Sequence, residues 1–461
     1  MKALRYRKFA AVSLAVGIGL LGAACNNSKS DSSGGSSADG APLDPNAKVT
    51  ISVDCMPPTT KAAERKEWME DVAAFNKLYP NVTINGKDGF PCEDPAKFTA
   101  MLKAGTEADV FYSYFTDLQT VLDSGQAEDI TKYVNNKTIP ALDNIDPAVM
   151  DGMKDEGKLY ALPTSNYKMG LIYNRKLFQQ AGLDADNPPT TWEDIAAAAK
   201  KITALGNGAI GYGEYSAQNT GGWHFTAQMY GLGGSMVSDD GKKAAFNDAN
   251  GKLVLQHLYD MRWKDQTMGV TQGFKWPDLM KNMVSGKEGM YLGAPDDITY
   301  MVQSLGGNYN DYGMGPMPGG KTTLSGGNDY FFKKGLSPDQ IKAGVAWVTF
   351  KFLTQGKGQF DYARTKTDGL PVGLPQPLFW VGSANDKDIA DKSASATIPV
   401  ANFKPYMSTN VQPKVEPVRA QEIYKVLDNA VSAVLTDQHA DIDKLLSTAE
   451  SQVNQVLANA Q

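Results

Sequence analysis

Strand-like and helix-like segments alternate through the first part of the chain, and this alternation constrains the fold most. Residues 48–54 are β-branched and alternate in polarity, as a half-buried strand does. Apolar residues then recur at helical spacing until Pro80 ends the run. Residues 82–84 and 108–112 are two further strand-like segments. Strands that alternate with helices predict an α/β fold with a mostly parallel sheet.

Capping signals mark where several helices begin. Asp94 and Ser337 each precede a proline, and Thr191 precedes an acidic first turn, so each is predicted to cap a helix. Two amphipathic segments, about 420–436 and 441–458, predict a pair of helices at the end of the chain.

The amino terminus has the three parts of a secretory signal. Four basic residues stand among the first eight, an apolar run covers 9–21, and small residues lead into Cys25. The run is shorter than the roughly 20 residues of a membrane-spanning helix. Its end resembles a bacterial lipobox, although Gly22 stands where leucine is commonest. We expect removal of residues 1–24 and lipid on Cys25; an ordinary secretory signal is the alternative.

The segment after this signal predicts a tethered, two-lobed protein. Residues 25–47 are predicted to form a lipid-anchored flexible linker, because their composition is dominated by Ser, Gly, Asp and Ala, which cannot form a core. The roughly 410 residues that follow exceed what one core usually serves, so two lobes are expected. No later apolar run is long enough to span a bilayer.

Charge excludes several classes of partner. Removal of the signal takes away four positive charges and changes the formal net charge from −6 to −10. An acidic chain without Lys/Arg clusters argues against binding to nucleic acid or to an anionic membrane surface.

The remaining cysteines predict a covalent link. Cys55 and Cys92 are an exported pair and favour a disulfide, with two reduced, buried thiols as the alternative. A metal site is disfavoured, because the three histidines are scattered without partners at ligand spacing. No cofactor is expected.

Motifs of enzyme chemistry are missing or misplaced. The one Gly-x-Gly-x-x-Gly pattern, at 17–22, lies inside the signal and follows no strand. There is no Walker loop and no Gly-x-Ser-x-Gly elbow. Of two acidic pairs, Asp239-Asp240 resembles a hairpin turn, while Asp296-Asp297 follows an apolar strand and suits the rim of a cleft. We predict no catalytic residues.

Aromatic residues beside Gly, Ser, Asn or Asp are the more informative signal. Sugars offer apolar C–H faces and a ring of hydroxyls, so they favour flat aromatic surfaces flanked by carboxylates and amides. Trp223 suits this role best, because Gly221 and Gly222 before it allow close backbone approach. The alternative for any one aromatic residue is a place in the core.

A series of short segments resembles the sugar-type extracellular solute-binding proteins of ABC importers, the maltose-binding-like family 1 class. One segment, at 104–111, reads Ala-Gly-Thr-Glu-Ala-Asp-Val-Phe and is similar to the family's "AGTAPDVF". The others, in the family's order, lie at 75–82, 125–130, 159–163, 170–174, 178–183, 189–193, 286–290, 326–327 and 369–372. The order and spacing make the resemblance specific from residue 48 to the end.

The resemblance implies a type II periplasmic-binding-protein fold, with ligand between two lobes joined by crossover strands. It implies crossings near 163–168, 326–331 and 366–371. The expected division assigns 48–163 and 329–367 to the first lobe, and 164–328 and 368–461 to the second. The expected ligand contacts are Tyr114, Asp117, Asn166, Tyr167, Trp223, His224, Trp276, Asp296, Asn328 and Tyr330.

One departure from the family bears on the ligand. Residues 293–296 read Gly-Ala-Pro-Asp where the family often has Gly-x-Trp. The missing aromatic residue argues against a long maltodextrin-like ligand, and Asp296 suits a smaller or more polar sugar or a cationic amine.

The sequence therefore predicts a monomeric, lipid-anchored binding protein on the outer face of the cell membrane. It would capture a mono- or oligosaccharide and deliver it to ABC permease subunits. The alternatives are a binder of a polyamine, peptide or other non-sugar solute, and a secreted carbohydrate-active enzyme. Clustered carboxylates in the cleft would favour a cation.

Overall fold

The computed structural model of the protein describes residues 40–90, 92, 94–375, 379–409 and 411–459. The predicted signal, Cys25 and most of the predicted linker lie outside the described residues. The described chain forms an α/β fold with separate apolar cores, which confirms the expected two-lobed class.

Eleven strands are present in the described residues. In chain order they are β1 Val49–Met56, β2 Val82–Asp88, β3 Val110–Tyr114, β4 Lys154–Asp155, β5 Lys158–Leu159, β6 Ala161–Lys168, β7 Gly170–Asn174, β8 Met290–Gly293, β9 Tyr312–Gly315, β10 Thr322–Phe332 and β11 Gln412–Val415.

Sixteen α-helices are present in the same part of the chain. In order they are α1 Ala62–Leu78, α2 Pro95–Ala104, α3 Leu118–Ser124, α4 Pro147–Asp151, α5 Arg175–Gln180, α6 Trp192–Thr203, α7 Thr220–Gly231, α8 Ala249–Tyr259, α9 Asp278–Val284, α10 Pro295–Gln303, α11 Pro338–Phe352, α12 Tyr362–Thr367, α13 Gly382–Ser395, α14 Lys404–Met407, α15 Ala420–Thr436 and α16 Ile442–Ala458.

The three predicted helix caps are present. The side chain of Asp94 accepts a hydrogen bond from the backbone of Lys97 at 3.1 Å. Thr191 accepts one from Asp194 at 3.1 Å, and Ser337 forms a capping box with Gln340. Each cap satisfies a backbone N–H that the first helical turn leaves without a partner.

The larger sheet has the strand order β11-β10-β3-β1-β2, and β6 pairs with β10. β1 runs parallel to β2 and β3, but β10 runs antiparallel to both β3 and β6. The smaller sheet, β8-β7-β9, is antiparallel. β10 also runs parallel to β11, so three of the five pairings in the larger sheet are parallel, as predicted. The prediction is wrong for the smaller sheet and for the pairing of β10 with β3 and β6, because strands that return between the lobes pair in the opposite direction.

Two crossings join the lobes where they were expected. Along β6, Leu162 packs in the first core, and Met169 just beyond the strand packs in the second. Along β10, Leu324 belongs to the second core and Tyr330 to the first. The paired strands β6 and β10 therefore form the connection beside which both lobes place their loops.

The chain beyond residue 367 differs from the expected division. Leu374 packs against apolar residues of the second lobe, but Phe379, Trp380 and Ala384 return to the first core. Backbone hydrogen bonds between this stretch and residues 144–146 hold it there. The change to the second lobe is completed only by Ile398. The apolar residues of this stretch have no feature in the sequence that predicts which of the two cores they join.

Candidate functional site

The two crossover strands gather several of the expected contacts. In the pairing of β10 with β6, Gly327 lies opposite Asn166 and Gly326 opposite Tyr167. Asn328 lies opposite Ser165 on one side and Tyr114 of β3 on the other. Its side-chain amide donates to Ser165 Oγ at 3.0 Å. Four expected residues, namely Tyr114, Asn166, Tyr167 and Asn328, thus meet at one crossing.

Glycine at position 326 is required by the close approach of two side chains. A Cβ placed there would lie 2.5 Å from Tyr167 Oη and 2.6 Å from Glu416 Oε2. Any larger residue would displace one of them. Glu416, which follows β11, therefore lies at the site, although it was not among the residues predicted from the sequence.

Asp117 lies at the carboxyl end of β3, in the 3₁₀ turn Phe115–Asp117. Its Oδ2 accepts weak hydrogen bonds from the backbone of Tyr114 at 3.3 Å and from Ser113 Oγ at 3.4 Å. The side chain is 6% exposed. Burial raises the pKa of the Asp117 carboxyl to about 7.

Asp329 of β10 lies near Asp117. The register of β10 and β3 sets it opposite Ser113, the residue whose hydroxyl contacts Asp117. Asp329 is fully buried, and neither of its carboxylate oxygens has a hydrogen-bond partner among the described residues. Burial, and then the charge of Asp117, raises its pKa well above the usual range.

Glu416 approaches the same place from the second lobe. Its Oε1 accepts a hydrogen bond from Tyr424 Oη at 3.0 Å. Burial raises the pKa of Glu416 to about 8, and the nearby charge of Asp117 adds to the increase. We call Asp117, Asp329 and Glu416 the acidic cluster.

The described part of the chain supplies no neutralising base to the acidic cluster. Among the described residues, no Lys or Arg nitrogen lies within 4.0 Å of any of its three carboxylates. Arg419, at the start of α15, pairs instead with Asp123 at 2.8 Å and with Glu422 at 3.2 Å. In the described part of the chain, no three His, Cys, Asp or Glu side chains are arranged to hold a metal ion.

Aromatic rings border the acidic cluster on the side of the second lobe. Tyr167 and Trp223 form an edge-to-face pair with centroids 6.1 Å apart, and Trp223 is half-buried. Asp428 of α15 holds the first turn of α7 by accepting a hydrogen bond from the backbone of Gly222 at 2.9 Å. Trp223 is thereby fixed near the crossing.

A second group of expected residues lies at the start of α10. Asp297 is buried and accepts hydrogen bonds from Trp276 Nε1 at 3.3 Å and Tyr291 Oη at 3.2 Å. Burial and the neighbouring charge of Asp296 raise the pKa of Asp297. Asp296 is exposed. Burial first, and then the charges of Glu416 and Asp296, raise the pKa of Tyr167.

Two expected contacts lie in the interior. Tyr330 is 2% exposed and donates its hydroxyl to the backbone of Asp54 at 3.1 Å. His224 is fully buried, and its Nδ1 pairs with Glu214. Both side chains therefore hold their own lobes together in this structure, and we leave them out of the proposed contacts.

The cysteines differ from the prediction, because no disulfide joins Cys55 to Cys92. Each thiol is engaged by a tyrosine: Cys92 hydrogen-bonds with Tyr114, and Cys55 with Tyr330. Burial, and then the charge of Asp117, raises the pKa of the Cys92 thiol. The disulfide was predicted from the compartment and the number of cysteines alone. That reasoning could not include the tyrosines that the fold places beside each thiol.

Comparison with known proteins identifies the family. The sequence model of the bacterial extracellular solute-binding proteins matches residues 60–359. A sn-glycerol-3-phosphate-binding periplasmic protein UgpB of Brucella melitensis biotype 1 is 26% identical over 321 residues, which are 67% of this chain and 70% of that protein.

Solved structures share the fold. An ABC substrate-binding protein of Listeria monocytogenes, in complex with cycloalternan, superposes with a TM-score of 0.70 at 20% identity, over 89% of this chain and 100% of that one. The cyclic α-maltosyl-1,6-maltose binding protein of Arthrobacter globiformis gives a TM-score of 0.69 at 22% identity, over 90% and 100%.

The two-lobed fold and the matched segments agree with the expected class. Across the described residues, no helix has the length and apolarity to cross a membrane. The resemblance found in the sequence is confirmed: the chain belongs to the bacterial extracellular solute-binding proteins.

Proposed function

We propose that the protein captures a sugar, a mono- or oligosaccharide, between its lobes and delivers it to the permease subunits of an ABC importer. The observation that carries this proposal is the Tyr167–Trp223 pair beside the carboxylates of the crossing. An aromatic face binds the C–H side of a sugar ring, and carboxylates and amides accept or donate to its hydroxyls. Structural relatives are described with cycloalternan, tagatose and mannitol as ligands.

Loops from both lobes meet beside this site. Gln421 of α15 donates to Thr116 Oγ1 at 3.1 Å, and Arg419 pairs with Asp123 of α3. A hinge motion about β6 and β10 would make and break such contacts as the lobes close on a ligand. We further propose that lipid on Cys25 and the linker 25–47 hold the monomer at the outer face of the membrane, and that it binds without chemistry.

A panel of sugars tested by thermal shift, with calorimetry for each hit, examines this function, because a ligand of the folded state raises the melting temperature. Trp223→Ala should weaken binding of the hit tenfold or more, since a buried stacking aromatic contributes a few kcal/mol.

Trp263→Ala is the matched control. Trp263 is also half-buried, but its indole donates to the backbone of Val434 at 2.8 Å in the second lobe. This variant should bind like the wild type. Equal affinity in Trp223→Ala and Trp263→Ala would remove the stacking role.

A further inference from the structure

Asp329 of the acidic cluster differs from three other buried carboxylates of the described chain, which lie beside a base. Asp71, which is 1% exposed, pairs with both Lys351 and Arg364. Glu107 has Lys333 at 3.5 Å, and Glu214 has His224. These groups carry the compensation that a buried charge normally requires.

Asp329 has neither a cation nor a hydrogen-bond donor beside it in the part of the chain that the structure describes. It is fully buried, both of its oxygens lack a partner among the described residues, and Asp117, in the turn after β3, adds a second negative charge nearby. A carboxylate in this state is stabilised only by protonation or by a positive group, which the described residues do not supply. Neutral hydroxyls would satisfy its hydrogen bonds but would leave the repulsion between neighbouring carboxylates.

The position of the cluster indicates what supplies that charge. Asp117 and Asp329 come from the first lobe and Glu416 from the second, so a group bound between them contacts both lobes. Tyr167 and Tyr424 lie against Glu416, and Trp223 lies against Tyr167. Aromatic faces attract organic cations through their ring quadrupoles, in addition to the attraction of the carboxylates.

We propose that the solute carries a positively charged amine or ammonium group, which Asp117, Asp329 and Glu416 bind at the crossing. This inference rests on the proposed function, because it assigns the ligand of the same cleft. Combined with the sugar assignment, this inference specifies an amino sugar. Polyamines and quaternary ammonium compounds carry the same kind of positively charged nitrogen.

The test compares each amine with a neutral counterpart of the same shape on the full chain. The pairs are D-glucosamine with D-glucose, D-galactosamine with D-galactose, spermidine with 1,8-octanediol, and choline with 3,3-dimethyl-1-butanol. Calorimetry at pH 8 should show at least one amine bound ten or more times more tightly than its neutral counterpart. Equal affinity within every pair overturns the proposal.

The pattern of hits separates this proposal from the proposed function. Preference for D-glucosamine or D-galactosamine supports both. Binding of spermidine or choline without any sugar supports the cation and removes the sugar. Equal binding of D-glucose and D-glucosamine keeps the sugar and removes the cation.

Isosteric variants then identify the residues. Asp329→Asn and Glu416→Gln should each weaken binding of the amine at least tenfold and leave that of its neutral counterpart unchanged, which a merely structural role would not do. Glu288→Gln is the matched control, since Glu288 is a fully buried carboxyl of the second lobe, where the side chain of Asn282 donates to it at 3.5 Å. Urea unfolding verifies that each variant folds. Undiminished amine binding in both cluster variants contradicts the assignment.

Discussion

Two buried aspartates of the first lobe show how differently one fold treats the same side chain. Asp71 on α1 lies against Lys351 at 2.6 Å and against Arg364, which together join α1 to α11 and α12. Asp329 on β10 is equally buried and contacts no base within the described ranges. Asp71 contributes to the packing of helices inside one lobe, whereas Asp329 lies where the two lobes meet.

The difference separates carboxylates that serve the fold from those available to a ligand. A buried ion pair loses stability when one partner is removed, because the other charge is left uncompensated. A buried carboxylate without a partner costs stability in the free protein, and a cationic ligand would recover that cost on binding. We therefore expect opposite responses to substitution at the two positions.

Asp71→Ala should give the largest effect on stability. Removing the carboxylate leaves the half-buried Lys351 and Arg364 without the buried anion that they share, and breaking a buried pair in this way costs about 3–5 kcal/mol. Urea unfolding at pH 7 measures it. A loss below about 1 kcal/mol is typical of an exposed ion pair. Such a result would contradict the distinction between Asp71 as a structural carboxylate and Asp329.

The pH dependence of the free protein is the second test. Folding raises the pKa of Asp54 and Asp117 to about 7 and of Glu416 to about 8. Since the unfolded pKa values are about 4, these groups bind more protons in the folded state between about pH 4 and 8. The stability that these groups contribute is fully present below their unfolded pKa values, and it is lost as the pH rises through their folded pKa values.

The free energy of unfolding should therefore fall from pH 5 to pH 8, on the order of 2 kcal/mol or more from these groups. Amine affinity should rise over the same interval, as the carboxylates ionise. The titratable groups facing the cluster, which will shape the curve, are Glu422, Cys92, Tyr424 and Tyr167. Asp117→Asn should flatten the dependence; an unchanged slope in this variant would argue against these assignments.

Gly326→Ala tests the geometry of the crossing. The added methyl group would press on Tyr167 Oη and Glu416 Oε2, so we expect ligand affinity to fall about tenfold. The free energy of unfolding should fall by about 1–3 kcal/mol, as in other overpacked sites. Gly335→Ala is a control with open space around the position, although its positive φ adds strain of its own. Full affinity in Gly326→Ala would show that neither side chain needs its present position.

Arg419→Ala should have the smallest effect. Its partners Asp123 and Glu422 are substantially exposed, so removing the pair should change stability by less than about 1 kcal/mol. Because the Arg419–Asp123 pair joins the lobes, calorimetry would still detect a change in affinity if lobe closure depends on it. A stability loss as large as that of Asp71→Ala would contradict the distinction between exposed and buried pairs.

Local signals in the sequence predicted much of this fold. The caps at Asp94, Thr191 and Ser337 depend on neighbours three residues away, so they could be read without tertiary information. The two C-terminal helices also lie close to their predicted bounds. The pairing direction of β10 with β6 was predicted wrongly, because strands that pair there are distant in the chain.

The site was only partly accessible by the same reasoning. Tyr114, Asp117, Asn166, Tyr167 and Asn328 were predicted and do meet at the crossing. Tyr330 was expected there as well, but the pairing of β10 with β6 shifts register between Asn328 and Asp329, and the ring lies in the core.

Asp329 and Glu416 were missed for a physical reason. Nothing local distinguishes an acidic residue that folding will place at the crossing from one that stays in solvent. Glu416 follows a short strand whose residues are mostly exposed, so no periodic pattern marks it. The adjacent Asn328-Asp329 in a strand otherwise rich in Gly and aromatic residues was the one available hint.

The central claim is that the partnerless carboxylate at the crossing serves a ligand and not the fold. Urea unfolding of the ligand-free wild type and of Asp329→Asn at pH 8 tests it most directly. We predict that the variant is at least as stable as the wild type, because the amide removes a buried, uncompensated charge. A loss of about 3 kcal/mol or more, like that expected at Asp71, would show that Asp329 is part of the structural framework and would contradict the account.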